Sequence, residues 1–98
     1  MKHGSELIFE ERMRQISDEN FFAAHDDRHV HGELLAAALT YCDHVRFPNA
    51  HPTSFRLTWP MNWGVNWFKP TTPMRDLVKA GALISAEIDR RIRAGEAQ

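Results

Sequence analysis

Apolar residues recur at three- and four-residue intervals in three stretches of the chain. In the first, Ile8, Phe9, Met13 and Ile16 share one face while Glu10, Glu11 and Arg14 lie on the other, which predicts a helix from Glu6 to Ser17. Ser5 is its expected cap, Glu6 suits the first turn, and Glu10 is expected to pair with Arg14 one turn on. The second stretch predicts a helix from Gly32 to Val45 with Leu35, Ala38, Leu39, Cys42 and Val45 facing inward. Its three consecutive alanines, Ala36, Ala37 and Ala38, permit another helix to come close, which suggests a central position. The third stretch carries the clearest signals. Thr72 caps it, Pro73 takes the first helical position, Gly95 stops it, and Leu77, Gly81, Ile84, Ile88 and Ile92 form an apolar stripe. Arg90, Arg91 and Arg93 suit the negative end of its dipole.

Periodicity is lost between these stretches. From Asp18 to His31 the chain is polar and rich in histidine, which predicts a loop held to the core by Phe21 and Phe22. Between Arg46 and Thr72 fall four of the five prolines, with Asn49, Asn62 and Gly64 as further turn formers. A long irregular segment in a small domain tends to be functional or mobile. Within it, Ser54 to Trp59 alternates with period two and admits a brief strand. The expected fold is therefore mainly α: one helical domain over residues 1–98, three helices and a long, aromatic, Pro-rich connector, with room for one short strand pair.

Composition narrows the function classes. A chain of 98 residues buries a modest share of its surface, so a homo-oligomer is expected. Twelve Lys and Arg against thirteen Asp and Glu leave no global basic field, which argues against duplex nucleic acid as a partner. Cys42 is the single cysteine, which excludes an internal disulfide and a cysteine-built zinc site and fits a reducing cytoplasm. No apolar run approaches the roughly 20 residues that span a bilayer, and Met1 to Glu6 lack the apolar stretch of a signal peptide, so a soluble cytoplasmic protein without a membrane partner is expected.

Candidate chemistry concentrates in the connector. Trp59, Trp63 and Trp67 fall within nine residues and lead through Phe68, Lys69 and Thr72 into the third helix. They either lid a small core or form a binding platform. As a platform, Trp63, Trp67 and Phe68 stack a base, while Lys69, Arg75 and Lys79 and the free N–H groups after Thr72 meet phosphate. That combination describes a nucleotide-shaped site. Along the third helix Asp76, Lys79, Leu83, Glu87 and Arg90 fall in one strip, which reads as a solvated face held by the pairs Asp76–Lys79 and Glu87–Arg90, or as the wall of a polar cleft.

A second candidate site is acidic and histidine-rich. His25, His29 and His31 with Asp26, Asp27 and Glu33 offer ligands for zinc or manganese, although the spacing matches no helical metal motif such as H-E-x-x-H. The carboxylates are equally ordinary residues at a helix start. Cys42 on an inward face is an inert thiol, and no serine has an adjacent histidine and carboxylate at a recognisable spacing, so a local nucleophilic triad is not expected.

The sequence Glu11-Arg12-Met13-Arg14-Gln15, followed by His25-Asp26-Asp27, Gly32-Glu33-Leu34, Trp67-Phe68-Lys69-Pro70 and Arg75-Asp76-Leu77-Val78-Lys79-Ala80-Gly81-Ala82-Leu83-Ile84, resembles short accessory proteins of tailed phages and prophages over nearly its whole length. The resemblance implies a setting, the cytoplasm of an infected or lysogenic bacterium. More distantly, the E-R-x-R-Q pattern and the last helix resemble the all-α, MazG-like nucleoside triphosphate pyrophosphatases, which hold magnesium with paired carboxylates at E-x-x-E and E-x-x-D spacing. Here Glu11 meets Arg14, Asp76 meets Lys79 and Glu87 meets Arg90 three positions on, so cations stand where the second carboxylates belong. Such a site attracts phosphate directly.

The leading expectation is a phage-type protein that binds a nucleotide-derived ligand without a cofactor, and in that setting sequesters a host immune signalling nucleotide. One alternative is a magnesium- or manganese-dependent nucleotide pyrophosphohydrolase using Glu11, Asp26, Asp27, Glu33 and Glu87, with His25 beside them. Another is a protein-binding inhibitor whose tryptophans form the hot spot for a host factor.

Overall fold

A computed structural model describes residues 1–20, 23–51 and 53–98; Phe21 and Phe22, expected to anchor the histidine loop, lie outside them. The elements are α1 (Gly4–Asp18), α2 (Ala23–Asp26), α3 (Glu33–Arg46) and α4 (Pro73–Arg93), with 3₁₀ turns at Ser54–Leu57 and Val65–Trp67 in the connector. The fold is mainly α, and no strand occurs among the described residues. Where a brief strand was expected, the backbone closes on itself through Arg56 N–H to Thr53 O and Thr58 N–H to Phe55 O. These local bonds satisfy groups that a lone strand would leave without a neighbour.

The helix ends follow local chemistry. Glu6 accepts a hydrogen bond from the His3 N–H at 3.2 Å, so α1 begins ahead of Ser5, which lies inside the helix rather than capping it. At the start of α3, Gly32 has φ +81°, a left-handed conformation that glycine adopts without side-chain strain. Thr72 caps α4 by accepting the Arg75 N–H on its hydroxyl at 3.2 Å, with Pro73 in the first turn. The stop at Gly95 occurs with φ +86°.

α4 packs against both α3 and α1. Leu34, Ala37, Ala38 and Tyr41 of α3 meet Ala80, Leu83 and Ala86 of α4, and Trp59 of the connector completes this core. Small residues on both helices let their backbones approach, as the alanine run predicts. α1 touches α4 through Ile8 at Gly81, where an added Cβ would stand 2.6 Å from Ile8 Cδ1.

The helix faces, however, are turned in part from those expected: Ala38 and the Ile8–Gly81 contact lie inward as expected, and most of the larger apolar residues do not. On α1 the buried residues are Glu11, Arg12 and Gln15, while Phe9 and Met13 are exposed. On α3 the exposed residues include Leu35 and Leu39. On α4 the interior holds Asp76, Val78, Ala80, Ala82, Leu83, Ala86 and Glu87, and Leu77, Ile84, Ile88 and Ile92 face outward. The interior combines close alanine contacts with Leu34, Tyr41, Trp59, Val78 and Leu83 and with paired charges, so the sector that packs is set by small residues and ion-pair partners as well as by aliphatic periodicity.

The mixed-charge strip of α4 is accordingly not a solvated face. Asp76 is fully buried and accepts the Thr71 N–H at 2.8 Å and pairs with His44 Nδ1 at 3.0 Å, instead of pairing with Lys79. Glu87, also buried, does pair with Arg90 at 2.7 Å and with Arg91 at 2.9 Å. The expected Glu10–Arg14 pair is replaced by Glu10 with Lys2 and Arg14 with Glu11. No helix among the described residues is long and apolar enough to cross a membrane.

Candidate functional site

One cavity of about 950 Å³ opens where α1, the histidine loop, the connector and α4 meet. Its size lies at the upper end of the roughly 300 to 1,000 Å³ of small-molecule sites. Trp59, Trp63, Trp67 and Tyr41 supply aromatic lining, and Arg14, Lys69, Arg75 and Lys79 supply four cations against the two carboxylates Glu11 and Glu19. A chain with almost no net charge thus gathers four cations in this one concavity.

The aromatic part is held from behind. Trp59 is buried, donates its indole N–H to Gly64 O at 3.3 Å, and meets Tyr41 and Trp63 edge-on. Trp63 is half-buried, with His29 edge-on at 5.1 Å. Trp67 is half exposed, with Lys69 Nζ 5.4 Å from its ring centroid. The three tryptophans therefore divide the roles that the sequence left open: Trp59 belongs to the core and reaches the cavity, whereas Trp63 and Trp67 present surface to it. Phe68, expected in the stacking set, does not line this cavity. It stacks on Phe55 at 4.8 Å and packs against Tyr41 and Trp59, because the 3₁₀ turn that ends at Trp67 directs the next residue inward.

Two of the four cations are positioned by one carboxylate. Buried Glu11 accepts Arg14 Nε at 2.9 Å and Nη2 at 2.7 Å, accepts Gln15 Nε2 at 3.2 Å, and forms an ion pair with Arg75 from α4. Burial pushes the Glu11 carboxyl up, but the guanidiniums of Arg14 and Arg75 outweigh it and hold the group below the usual range. Lys79 donates to Lys69 O at 2.6 Å and lies 5.6 Å from the Tyr41 ring centroid. Burial, with smaller contributions from nearby Arg75 and Arg14, pushes its pKa down despite Asp76 and Glu11. An ammonium so placed gains from any anion that enters.

Gln15 adds a polar feature of another kind. It lines the cavity, is buried, and its Oε1 has no hydrogen-bond partner among the described residues. The amide cannot usefully be turned round, since that would set its oxygen against the Glu11 carboxylate. Gln15 therefore offers an acceptor.

Expected anion binding by backbone N–H groups at the start of α4 is largely pre-empted. Thr72 lines the cavity, but its hydroxyl takes the Arg75 N–H, and the Asp76 carboxylate already occupies the positive end of the dipole. Side-chain cations carry the positive field instead.

The acidic and histidine set is dispersed. Glu11 and His25 reach the cavity, as does His29, while Asp26, Asp27, Glu33 and Glu87 do not. Asp26 is fully buried against Arg12 at 2.8 Å and His25 at 3.1 Å; Asp27 pairs with Arg93 at 2.9 Å on the surface. Glu33 accepts the His31 N–H at 2.7 Å and Asn62 Nδ2 at 3.4 Å. Among the described residues, no three metal-ligating side chains converge. Arg14, Gln15, Tyr41 and Asn62 line the cavity without having been singled out as site residues. Arg14 and Gln15 belong to the E-R-x-R-Q pattern, and the signal was the three-residue step from Glu11 to Arg14, which puts both on one helical face.

No family model, curated protein or solved structure matches the chain.

Proposed function

We propose that the protein binds a nucleotide-derived ligand in this cavity and holds it without cleaving it. The observation that carries the reading is the meeting of accessible indoles, Trp63 and Trp67, with the cations Arg14, Lys69, Arg75 and Lys79 in one concavity. A base stacks on an indole at about 1 to 3 kcal/mol, and phosphate oxygens take charge-assisted hydrogen bonds from the guanidiniums. Gln15 Oε1 adds a requirement for an amino or hydroxyl donor on the ligand.

The state of the carboxylates supports retention rather than hydrolysis. Glu11 accepts from Arg14, Arg75 and Gln15, and Glu19 pairs with Arg14 at 3.3 Å, so neither is poised as a base or as a metal ligand. In the phage setting that the resemblance implies, the proposed function is sequestration of a host immune signalling nucleotide.

Calorimetry with a panel of cyclic dinucleotides and ADP-ribose derivatives tests the reading. Stoichiometric binding is expected, with the ligand recovered intact after heating the complex. Absence of binding across the panel at micromolar concentrations overturns it, and turnover in the presence of magnesium or manganese would replace it with the hydrolase.

A further inference from the structure

α4 has two apolar sectors, of which only one is covered. Its inward sector carries Val78, Leu83 and three alanines with the charged Asp76 and Glu87, and its outward sector carries Leu77, Ile84, Ile88 and Ile92, which are 46%, 40%, 54% and 64% exposed. Leu77, Gly81, Ile84 and Ile88 alternate at four- and three-residue steps, the spacing of a two-helix seam. In the middle of that seam Gly81 is already covered by Ile8 of α1, the helix that also carries exposed Phe9 and Met13. The large aliphatic side chains around it have no partner of that kind among the described residues.

Surface area indicates how much is left uncovered. The chain exposes 6646 Å² at a mass of 11.3 kDa. A folded monomer of that mass is expected to expose roughly 5,700 Å². The difference, roughly 900 Å², matches the roughly 800 Å² that each partner buries in a standard interface.

We infer that a second copy of this chain covers the outward face of α4, with Leu77, Ile84, Ile88 and Ile92 of both copies at the contact. A two-fold axis lets one apolar stripe meet itself. The charged residues of the C-terminal half of α4 carry both signs, Glu87 and Asp89 with Arg90, Arg91 and Arg93, and the arginines already pair within the chain, Arg90 and Arg91 with Glu87 and Arg93 with Asp27. That suits a self-complementary contact and lacks the basic face with which an amphipathic helix seeks an anionic membrane. This assignment stands independently of the ligand, since these four residues are not among those lining the cavity.

Sedimentation velocity on the full chain tests it. The wild-type protein is expected at twice 11.3 kDa, or a multiple of that, at tens of micromolar. Ile84→Glu and Ile88→Glu are each expected to shift it to the monomer mass with the far-ultraviolet helical signal retained. Should either fail to fold, Ile84→Ser and Ile88→Ser replace them, read alongside hydrogen exchange of α4 in the wild type, where protection must rise with protein concentration. A wild-type monomer throughout that range overturns the inference, as does an oligomer indifferent to these substitutions. Binding of the monomer to anionic vesicles through α4 would assign the face to a membrane instead.

Discussion

Glu11 and Arg75, sixty-four positions apart, form an ion pair that joins α1 to the first turns of α4. The same carboxylate holds Arg14 of its own helix at 2.7 Å, so one buried anion fixes two half-exposed guanidiniums beside the cavity. Packing and the candidate site share this residue.

Glu11→Gln leaves the two guanidiniums without their counter-charge and weakens the link between α1 and α4. Removing one partner of a buried pair costs about 3 to 5 kcal/mol, and the half-exposed arginines reduce that here to about 2 to 3 kcal/mol. Urea unfolding measures the loss. In the folded fraction, calorimetry should show pyrophosphate binding tightened by Glu11→Gln and weakened by Arg75→Ala; equal weakening by both would show that the anion site is not governed by these charges.

The tryptophans are expected to separate stability from binding. Trp59→Ala should cost about 3 to 5 kcal/mol, since it empties part of the core. Trp67→Ala, at a half-exposed position, should change stability by less than about 1 kcal/mol while weakening nucleotide binding by the roughly 1 to 3 kcal/mol of one stacked base. Paired denaturation and calorimetry check both. Loss of stability in the Trp67 variant, with affinity unchanged, would sink the platform reading.

Gly81 is held small by Ile8. Gly81→Ala gains roughly 1 kcal/mol of helix propensity but forces Ile8 aside, at about 1 to 3 kcal/mol for overpacking. A net loss of about 1 kcal/mol is expected. A double-mutant cycle with Ile8→Val should recover part of it, and strict additivity would show that the contact is not the cause.

Stability should fall with acid in two stages. Burial, with His25 nearby, lowers the His29 pKa from its ordinary 6.5, so the unfolded chain takes up a proton first and stability declines as pH drops below about 6.5. Glu11, Glu33 and Glu87 are each held below 4.5, the first two against burial by their hydrogen-bond donors and the third chiefly by Arg90. Their contribution is complete above that pH and is lost as pH falls through the lowered values. Urea midpoints across pH 4 to 8 report the first stage, which His29→Gln should abolish. A profile unaltered by that substitution would be evidence against the assignment.

How much of the candidate site was legible depended on the kind of signal. Lys69, Arg75, Lys79, Trp63 and Trp67 were readable because a run of tryptophans beside a capped helix brings them together along the chain. Arg14 and Gln15 were hidden, since they reach the cavity only through a helix distant in sequence, and charged residues opposite an apolar stripe read as solvent-facing. Phe68 was misassigned because one 3₁₀ turn decides whether an aromatic neighbour points inward or out.

By itself the sequence determined what local forces determine: three long helices, the start of the last at Thr72 and its stop at Gly95, an irregular connector, and apolar stripes at helical spacing. Caps, glycines and prolines act within a few residues, so their outcome needs no knowledge of the fold. Only the tertiary structure decided which face of each helix turns inward. That choice balances close alanine contacts and buried ion pairs against aliphatic burial, and it involves partners tens of residues away. Periodicity shows that a stripe wants cover; in the fold the described chain covers the α4 stripe at Gly81, through Ile8, and leaves Leu77, Ile84, Ile88 and Ile92 exposed.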